Sequence, residues 1–475
     1  MNSKLIFKGI KWSGLEYGFS TVFRFVVKLL LAKLLVPEDF GLVGMTSIFI
    51  AIITAASELG LSAALIQKKN DSDAIRLYDT AFWSGIVWGI ILYSLFCFVG
   101  GPIIAKFFDE PVLTKLIPIL GVGILVMPLV SIHQVILTRS MDFKRIALIK
   151  NGATLIAGVS GIIMAFADYG VWALAANNFL AVFLPLPFYV MVTKWRPKFK
   201  WEASHFKSII GFGGYSTGTV MLSTLTYNLD NFMIGKMLGA SLLGGYSLAF
   251  SLTEMLRQAV SSILNKVMYP VFGQHQNDPE KIKNYFLQIV KFNAIILYPI
   301  MIFFTLLGGP FLLDIFGEKW TFAIAPLRIL AVSVIIHLII NSFASLIRGL
   351  GFPKLELKII VISTLFILVP CLYFGIREYG IIGATFAVLI NKLFLVLVAF
   401  YVLRSKIGVV ALDFINALYA PILAILIGSL PVIFYFVYDN VEISWVYFGI
   451  AYFVFYGVAI WLLQKRYFIS LIKKI

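Results

Sequence analysis

Glu16, Ser20, Arg24 and Lys28 recur every four residues inside one apolar stretch, so they line a single side of a helix. Their neighbours Phe19, Val22, Phe23, Val26, Leu29 and Leu30 clothe the rest of it. A later stretch repeats the pattern with Ser247, Ser251, Glu254, Gln258 and Ser261 at i,i+3/i+4 spacing, and Arg257 three residues after Glu254. Just before it runs a segment rich in hydroxyls and amides, with Thr224, Asn228, Asp230 and Asn231. A charge at the centre of a bilayer costs roughly 2.5–3.5 kcal/mol on insertion scales, so such groups turn to a protein interior or a wet cavity. Counting about ten residues from the end of each apolar stretch puts Arg24, Glu254, Arg257 and Lys392 at that depth, whereas Lys291 and Arg328 lie near enough to an end to snorkel.

These residue types point to binding an anion rather than to bond-making chemistry. The planar fork of arginine holds two oxygens of a phosphate or diphosphate at once. Arg24, Lys28, Arg257 and Lys392 are therefore the candidate cations of a cavity, with Glu16, Ser20, Asn231 and Gln258 as its polar lining. Structural pairing is the alternative, for example Glu254 with Arg257, but the intramembrane cations outnumber the acids and pairing alone leaves positive charge over. Glu58, Asp230 and Glu254 are the candidate carriers of a coupling ion, H+ or Na+. No cofactor or metal centre is expected: Cys97 and Cys371 both fall inside apolar stretches and have no ligand partners at metal spacing.

The elements that must hold these groups are transmembrane helices. Hydrophobic residues make up 60% of the 475-residue chain, charged residues only 13%, and the mean hydropathy is +0.95. A soluble domain carries about 25% charged residues, and one crossing needs about 20 apolar residues. By that ruler the chain holds fourteen spans with short connections. Lysine and arginine stay on the cytoplasmic side. With the N-terminus inside, only Lys33, Lys106, Lys115, Lys236, Lys319 and Arg377 among the loop cations fall outside, an asymmetry that one missed span would destroy. Both termini are then cytoplasmic. The formal charge of +16 follows from this topology and from anionic lipid headgroups, not from nucleic acid. The charged residues of the first stretch argue against a cleavable signal sequence.

Two signatures occur twice, about 210 residues apart. RSMDFKR at Arg139–Arg145 returns as RGLGFPK at Arg348–Lys354, each with Arg, Phe four residues on and a basic residue two further. DYGVWAL at Asp168–Leu174 returns as EYGIIGA at Glu378–Ala384. A weaker pair, Lys33–Leu42 and Lys236–Gly245, follows the same order. Duplicated halves of six spans keep one orientation and are related by an axis along the membrane normal, as in many secondary transporters. The expected organisation is an N-terminal lobe over 1–192, a cytoplasmic inter-lobe loop over 193–208, a C-terminal lobe over 209–403, and two extra spans with a tail over 404–475. The fold class is an all-α polytopic membrane protein, two pseudo-symmetric six-helix lobes around a central cavity.

LVPEDFGL after the first span, SELGLSAALIQ at Ser57–Gln67, DTAFW at Asp79–Trp83, RSMDFKR and YGVWAL stand in an order that resembles polysaccharide exporters. The likeness is to the Wzx-type branch of the multidrug/oligosaccharidyl-lipid/polysaccharide (MATE-like) superfamily, which includes colanic-acid and teichuronic-acid exporters, and it covers nearly the whole chain. It implies two lobes that open alternately to either side. It also implies flipping of a polyprenyl-diphosphate-linked oligosaccharide to the outer leaflet of the bacterial cytoplasmic membrane, without a catalytic step. Membrane lipids and other polysaccharide-assembly membrane proteins are the implied company of a monomeric transport unit. A multidrug exporter of the same fold would favour an acidic cavity, and a flippase for the peptidoglycan precursor would fit the charges equally well. A membrane glycosyltransferase or polymerase would use Glu38 and Asp39, but Pro37-Glu38-Asp39 also reads as the first turn of a helix.

Overall fold

A backbone inside hydrocarbon must satisfy its own N–H and C=O groups. The structure, a computed structural model that describes residues 3–57, 65, 71–203, 206, 221, 224–437 and 444–472, does so with helices and contains no strand among them. In chain order these are α1 (Ser3–Leu34), α2 (Pro37–Ser57), α3 (Asp71–Leu95), α4 (Gly101–Phe108), α5 (Leu113–Leu120), α6 (Gly123–Arg139), α7 (Phe143–Phe166), α8 (Val171–Phe183) and α9 (Pro185–Thr193). There follow α10 (Leu229–Gln274), α11 (Pro279–Phe316), α12 (Ile324–Leu338), α13 (Phe343–Gly349), α14 (Pro353–Ile362), α15 (Val369–Ile407), α16 (Ala411–Val437) and α17 (Trp445–Ile472). Single π-turns at Phe96–Gly100 and Ser363–Leu368 splice α3 to α4 and α14 to α15.

Ten helical runs among the described residues are long and apolar enough to cross a membrane, so the chain is a multi-pass membrane protein. One of them, Pro353–Ile407, has 55 residues. At 1.5 Å per residue it is roughly 80 Å long, more than twice a hydrocarbon core of about 30 Å. It breaks at Gly380. The charged α1 is helical throughout its length and the polar α10 is helical on both sides of a break at Gly239, but both fall outside those ten runs.

The repeat is written into the backbone. Gly170 has φ 53° and ψ −131°, and Gly380 has φ 56° and ψ −136°, a conformation open to glycine alone. Gly170 caps the start of α8, and Gly380 breaks α15 in two. At the other signature, Met141 and Gly351 are the left-handed residues, and the next N–H reaches back five residues, Asp142 to Leu137 and Phe352 to Ile347, both at 2.9 Å. These bonds close a helix C-terminus. They fix the equivalence of Phe143 with Pro353, one residue away from the match of Phe143 with Phe352 that the arginines give in sequence. Turn geometry, not side-chain identity, sets the register.

The chain divides into two compact units, Met1–Ser247 and Leu248–Ile475, so the division falls within α10. In the first unit α1 packs on α7, α7 on α8, and α3 on α6. In the same unit α2 crosses the segment after Gly239, where α10 leaves helical geometry. A Cβ on Gly41 would fall on the carbonyl oxygen of Ala240, and one on Gly244 would fall on that of Pro37. In the weaker repeat Pro37 corresponds to Ala240 and Gly41 to Gly244, so the two contacts are reciprocal, as a local two-fold would make them.

In the second unit α11 packs on α12 and α16, α12 on α15, and α16 on α17. Proline inside α11 has a use there. Pro299 has no N–H to offer the carbonyl of Ile295, and the Tyr456 hydroxyl donates to that oxygen at 2.7 Å instead. Tyr452 donates to the Pro299 carbonyl at 3.0 Å, so two hydroxyls tie α17 to α11. The outer faces of α16 and α17 expose Leu426, Leu430, Val454 and Leu462, an apolar surface that suits lipid.

Candidate functional site

The second unit gathers the central charges into one buried cluster. Glu254 and Arg257 sit one turn apart on α10, and the arginine Nε donates to Glu254 Oε2 at 2.6 Å. Lys392 reaches in from α15, and its Nζ donates to Glu254 Oε1 at 2.6 Å and to Ser333 Oγ on α12 at 3.2 Å. Arg257 Nη1 donates to Asn341 Oδ1 at 2.8 Å, and the Asn341 amide donates to Ser261 Oγ at 2.5 Å. The Ser261 hydroxyl closes the ring by donating to the Arg257 carbonyl at 2.6 Å. Only 4% of the Glu254 side chain is exposed, against 11% for Lys392 and 12% for Arg257.

Two cations thus share one carboxylate in a place with little water, leaving formally one positive charge in excess. A buried pair is favourable only when its remaining donors and acceptors are satisfied, and Asn341, Ser261 and Ser333 serve that purpose. His337 lies within electrostatic reach of all three charges. With Asn341 and Glu356 it also borders a cavity of about 160 Å³ among Phe343, Ile359 and Leu395. Arg348 pairs with Glu356 there, Nε to Oε2 at 2.8 Å.

The i,i+3 pairing of Glu254 with Arg257 is legible in the sequence; the engagement of Lys392 with the same carboxylate is not. Lys392 is buried against Glu254 instead of standing as a separate cation. Gln258, one residue after Arg257, is exposed. Asn341, Ser333 and His337 are absent from the sequence-derived site, although Ser333, His337 and Asn341 recur every four residues through an apolar run and could have been read by the rule that flagged Glu16 to Lys28.

The first unit holds the other candidates. Arg24, exposed on α1, turns back on its own helix, Nε donating to the Ser20 carbonyl at 3.0 Å and Nη2 to Ser20 Oγ at 3.3 Å. Its partner on the polar stripe is therefore Ser20, with Glu16 one turn further away. Lys28 is half-buried, the next member of the same stripe. Asp230, buried near the start of α10, accepts the Tyr246 hydroxyl and the Asn231 N–H. Asn231 Oδ1 is a buried acceptor with no hydrogen-bond partner among the described residues. Glu58 lies outside the described residues. Glu38 and Asp39 occupy the first turn of α2, where Asp39 Oδ2 accepts the Val36 N–H at 3.3 Å, the part of a helix cap. Among the described residues no group of three or more His, Cys, Asp and Glu could hold a metal ion.

Comparison with known proteins agrees with this helical membrane fold. The chain is 27% identical over 354 residues to the teichuronic acid biosynthesis protein TuaB of Bacillus subtilis (strain 168), covering 74% of this chain and 72% of that protein. It is 24% identical over 420 residues to the lipopolysaccharide biosynthesis protein WzxC of Escherichia coli (strain K12), with 87% and 84% covered. Among solved structures, the inward closed conformation of the lipid II flippase MurJ superposes with a TM-score of 0.74 at 15% identity, over 97% of this chain and 100% of that one. An inward-facing MATE-family multidrug transporter of the MOP superfamily gives 0.62 at 18% identity, over 83% and 94%. The fold is thus that of the MurJ and MATE transporters. Residues 30–325 match the family described as polysaccharide biosynthesis protein, and the chain belongs to that family.

Proposed function

We propose that this protein flips a polyprenyl-diphosphate-linked oligosaccharide from the cytoplasmic to the outer leaflet of the bacterial cytoplasmic membrane, for export of a surface polysaccharide. The observation that carries the reading is the cationic excess of the Glu254–Arg257–Lys392 cluster in a fold and family of this kind. A diphosphate needs cations, a glycan needs hydroxyls and amides, and the polyprenyl tail stays in lipid. Arg257 and Lys392 would exchange Glu254 for phosphate oxygens, and Arg24 with Lys28 would supply the matching charge from α1. Glu16, Ser20, Asn231 and Gln258 are the proposed polar lining. No covalent step is needed.

The proposed architecture is fourteen spans, with lobes over 1–192 and 209–403 around a central cavity and both termini cytoplasmic. The lobes alternate by rigid-body rocking. The length of Pro353–Ile407 and its break at Gly380 support two spans there, and the helical α1 and α10 supply crossings whose charge lowers their hydropathy. The coupling ion is H+ or Na+, with Asp230, Glu58 and Glu254 as its candidate carriers. The cationic balance of the buried cluster disfavours export of cationic drugs, and the cap made by Asp39 gives that acid a structural role in place of glycosyl transfer.

The test is reconstitution. Purified protein in liposomes that carry a fluorescent polyprenyl-diphosphate oligosaccharide should expose the internal glycan to an external glycosidase faster than protein-free liposomes do. Equal exposure with and without protein, together with ion-coupled extrusion of a cationic dye, would replace this reading with drug export.

A further inference from the structure

The DTAFW motif takes no part in the charge clusters, yet it is fully engaged. Asp79 and Thr80 are buried on α3, and Asp79 Oδ1 accepts the backbone N–H of Lys198 at 2.8 Å. Thr80 Oγ1 accepts the N–H of Glu202 at 3.3 Å. Trp83 Nε1 donates to the Lys198 carbonyl at 2.9 Å, and its ring stacks on Phe199 at 4.4 Å between centroids. One residue on, Ser84 Oγ accepts from Trp201 Nε1 at 3.0 Å. Trp195 packs edge-on to Phe82 and Tyr78. The motif is a clamp, and what it clamps is the extended segment after α9.

That segment, Lys194-Trp195-Arg196-Pro197-Lys198-Phe199-Lys200-Trp201, interleaves cations with aromatic rings. The clamp grips the backbone at Lys198 and Glu202 and the rings of Phe199 and Trp201; Lys194, Lys198 and Lys200 are exposed, as is Arg196, whose Nη1 donates to the Val190 and Trp195 carbonyls, and Phe199 and Trp201 are still 91% and 54% exposed. The gripping residues 79–84 lie within the first turns of the membrane-crossing run that starts at Leu77, which sets the segment at the level of the headgroups. Exposed tryptophan and lysine together at that level are the chemistry of an interfacial anchor, and a row of cations there attracts anionic lipid.

We infer that residues 194–201, held by Asp79, Thr80, Trp83 and Ser84, form a binding strap for the phosphate headgroups of anionic phospholipid in the adjoining leaflet. The inference rests on the membrane placement under the proposed function but not on the transported substrate, and lipid preference can fail while flipping succeeds. It explains why a transporter would keep a buried aspartate and threonine for a connecting segment. Backbone bonds and aromatic contacts fix the strap, and its exposed lysine side chains remain available to lipid.

Tryptophan quenching by brominated lipid in nanodiscs tests it. Brominated phosphatidylglycerol should quench the Trp201 signal, defined as the difference from Trp201→Phe, far more than brominated phosphatidylcholine at the same fraction. Lys194→Gln/Lys198→Gln/Lys200→Gln should lose that preference, by roughly fivefold per lysine at low salt, whereas Lys106→Gln/Lys115→Gln should keep it. The triple variant leaves every clamp bond in place, because those bonds use the backbone of Lys198 and Glu202 and the indole of Trp201, and no lysine side chain. Asp79→Ala should also lose the preference although all the cations remain; if it keeps it, charge alone selects lipid and the strap is not a built site. Equal quenching by the two lipids in the parent protein overturns the inference. So does a response confined to phosphatidylcholine discs doped with polyprenyl diphosphate, which would make the strap a capture point for the transported lipid.

Discussion

Removing Glu254 should be among the most damaging single changes in the second unit. Both of its oxygens are taken by cations at 2.6 Å, and all three side chains are nearly enclosed. Glu254→Gln keeps the shape but removes the carboxylate that Arg257 and Lys392 share. Breaking a buried pair in this way costs about 3–5 kcal/mol. Lys392→Met leaves the carboxylate with Arg257 and should cost less, about 1–3 kcal/mol, because one charge-assisted hydrogen bond is lost and one remains. The double variant removes one of the two stranded cations but leaves Arg257 without its carboxylate, so it should recover part of the Glu254→Gln loss, with a coupling energy above about 1.5 kcal/mol in a double-mutant cycle. The assay is thermal or denaturant unfolding of the purified protein in detergent, followed by tryptophan fluorescence, beside glycan export in cells. Stability and function separate the two roles of Lys392. If the cluster only pairs, export recovers in step with stability in the double variant; if it also binds diphosphate, stability recovers in part and export does not. A cost below about 1 kcal/mol for Glu254→Gln would refute the cluster as a structural unit.

Four further outcomes are expected. Gly41→Ala and Gly244→Ala should each force α2 away from the α10 backbone at an overpacking cost of about 1–3 kcal/mol or more, seen as lowered thermal stability, whereas Gly457→Ala, where a Cβ would meet nothing, should be tolerated. Arg24→Ala should abolish or strongly reduce export while the protein still inserts, and Arg24→Lys should rescue only part of it because an ammonium lacks the bidentate fork; full export by the alanine variant would remove Arg24 from the site. Single cysteines at Asp109 and Glu318, in a background without Cys97 and Cys371, should react with an impermeant thiol reagent from outside the cell, and those at Lys198 and Lys354 should not; labelling of Lys198 would break the fourteen-span topology. Burial and the neighbouring Glu38 and Asp109 push the Glu110 carboxyl above its usual range, so the folded state holds this proton more tightly than the unfolded one and stability falls as pH rises through that range. Glu110→Gln should therefore stabilise the protein at neutral pH and lose that advantage in acid, as melting curves at the two pH values would report; a constant difference would contradict the shift.

Much of the membrane architecture was legible because lipid imposes simple rules on sequence. Apolar runs of the right length and a polar stripe at helical spacing follow from backbone satisfaction and desolvation, which act on each helix separately. The glycines of DYG and EYG were visible as a repeat before their shared backbone conformation gave the reason for it. The polar stripe on α1 was visible too, down to the four-residue step that lets Arg24 turn back on Ser20.

What the sequence by itself determined, then, is which residues share a helix face. Which faces meet was decided by the tertiary structure. Lys392 lies 138 residues from Glu254, and no periodicity along α10 could announce a partner on α15. The clamp of Asp79 on Lys198 spans 119 residues and depends on the backbone of an extended segment, which carries no side-chain signature. Hydrophobicity does not choose among helix pairs in lipid, because the tails are as apolar as the side chains. Close backbone approach, as at Gly41 with Ala240, and hydrogen bonds between distant polar groups make that choice, and both exist only once the chain has folded.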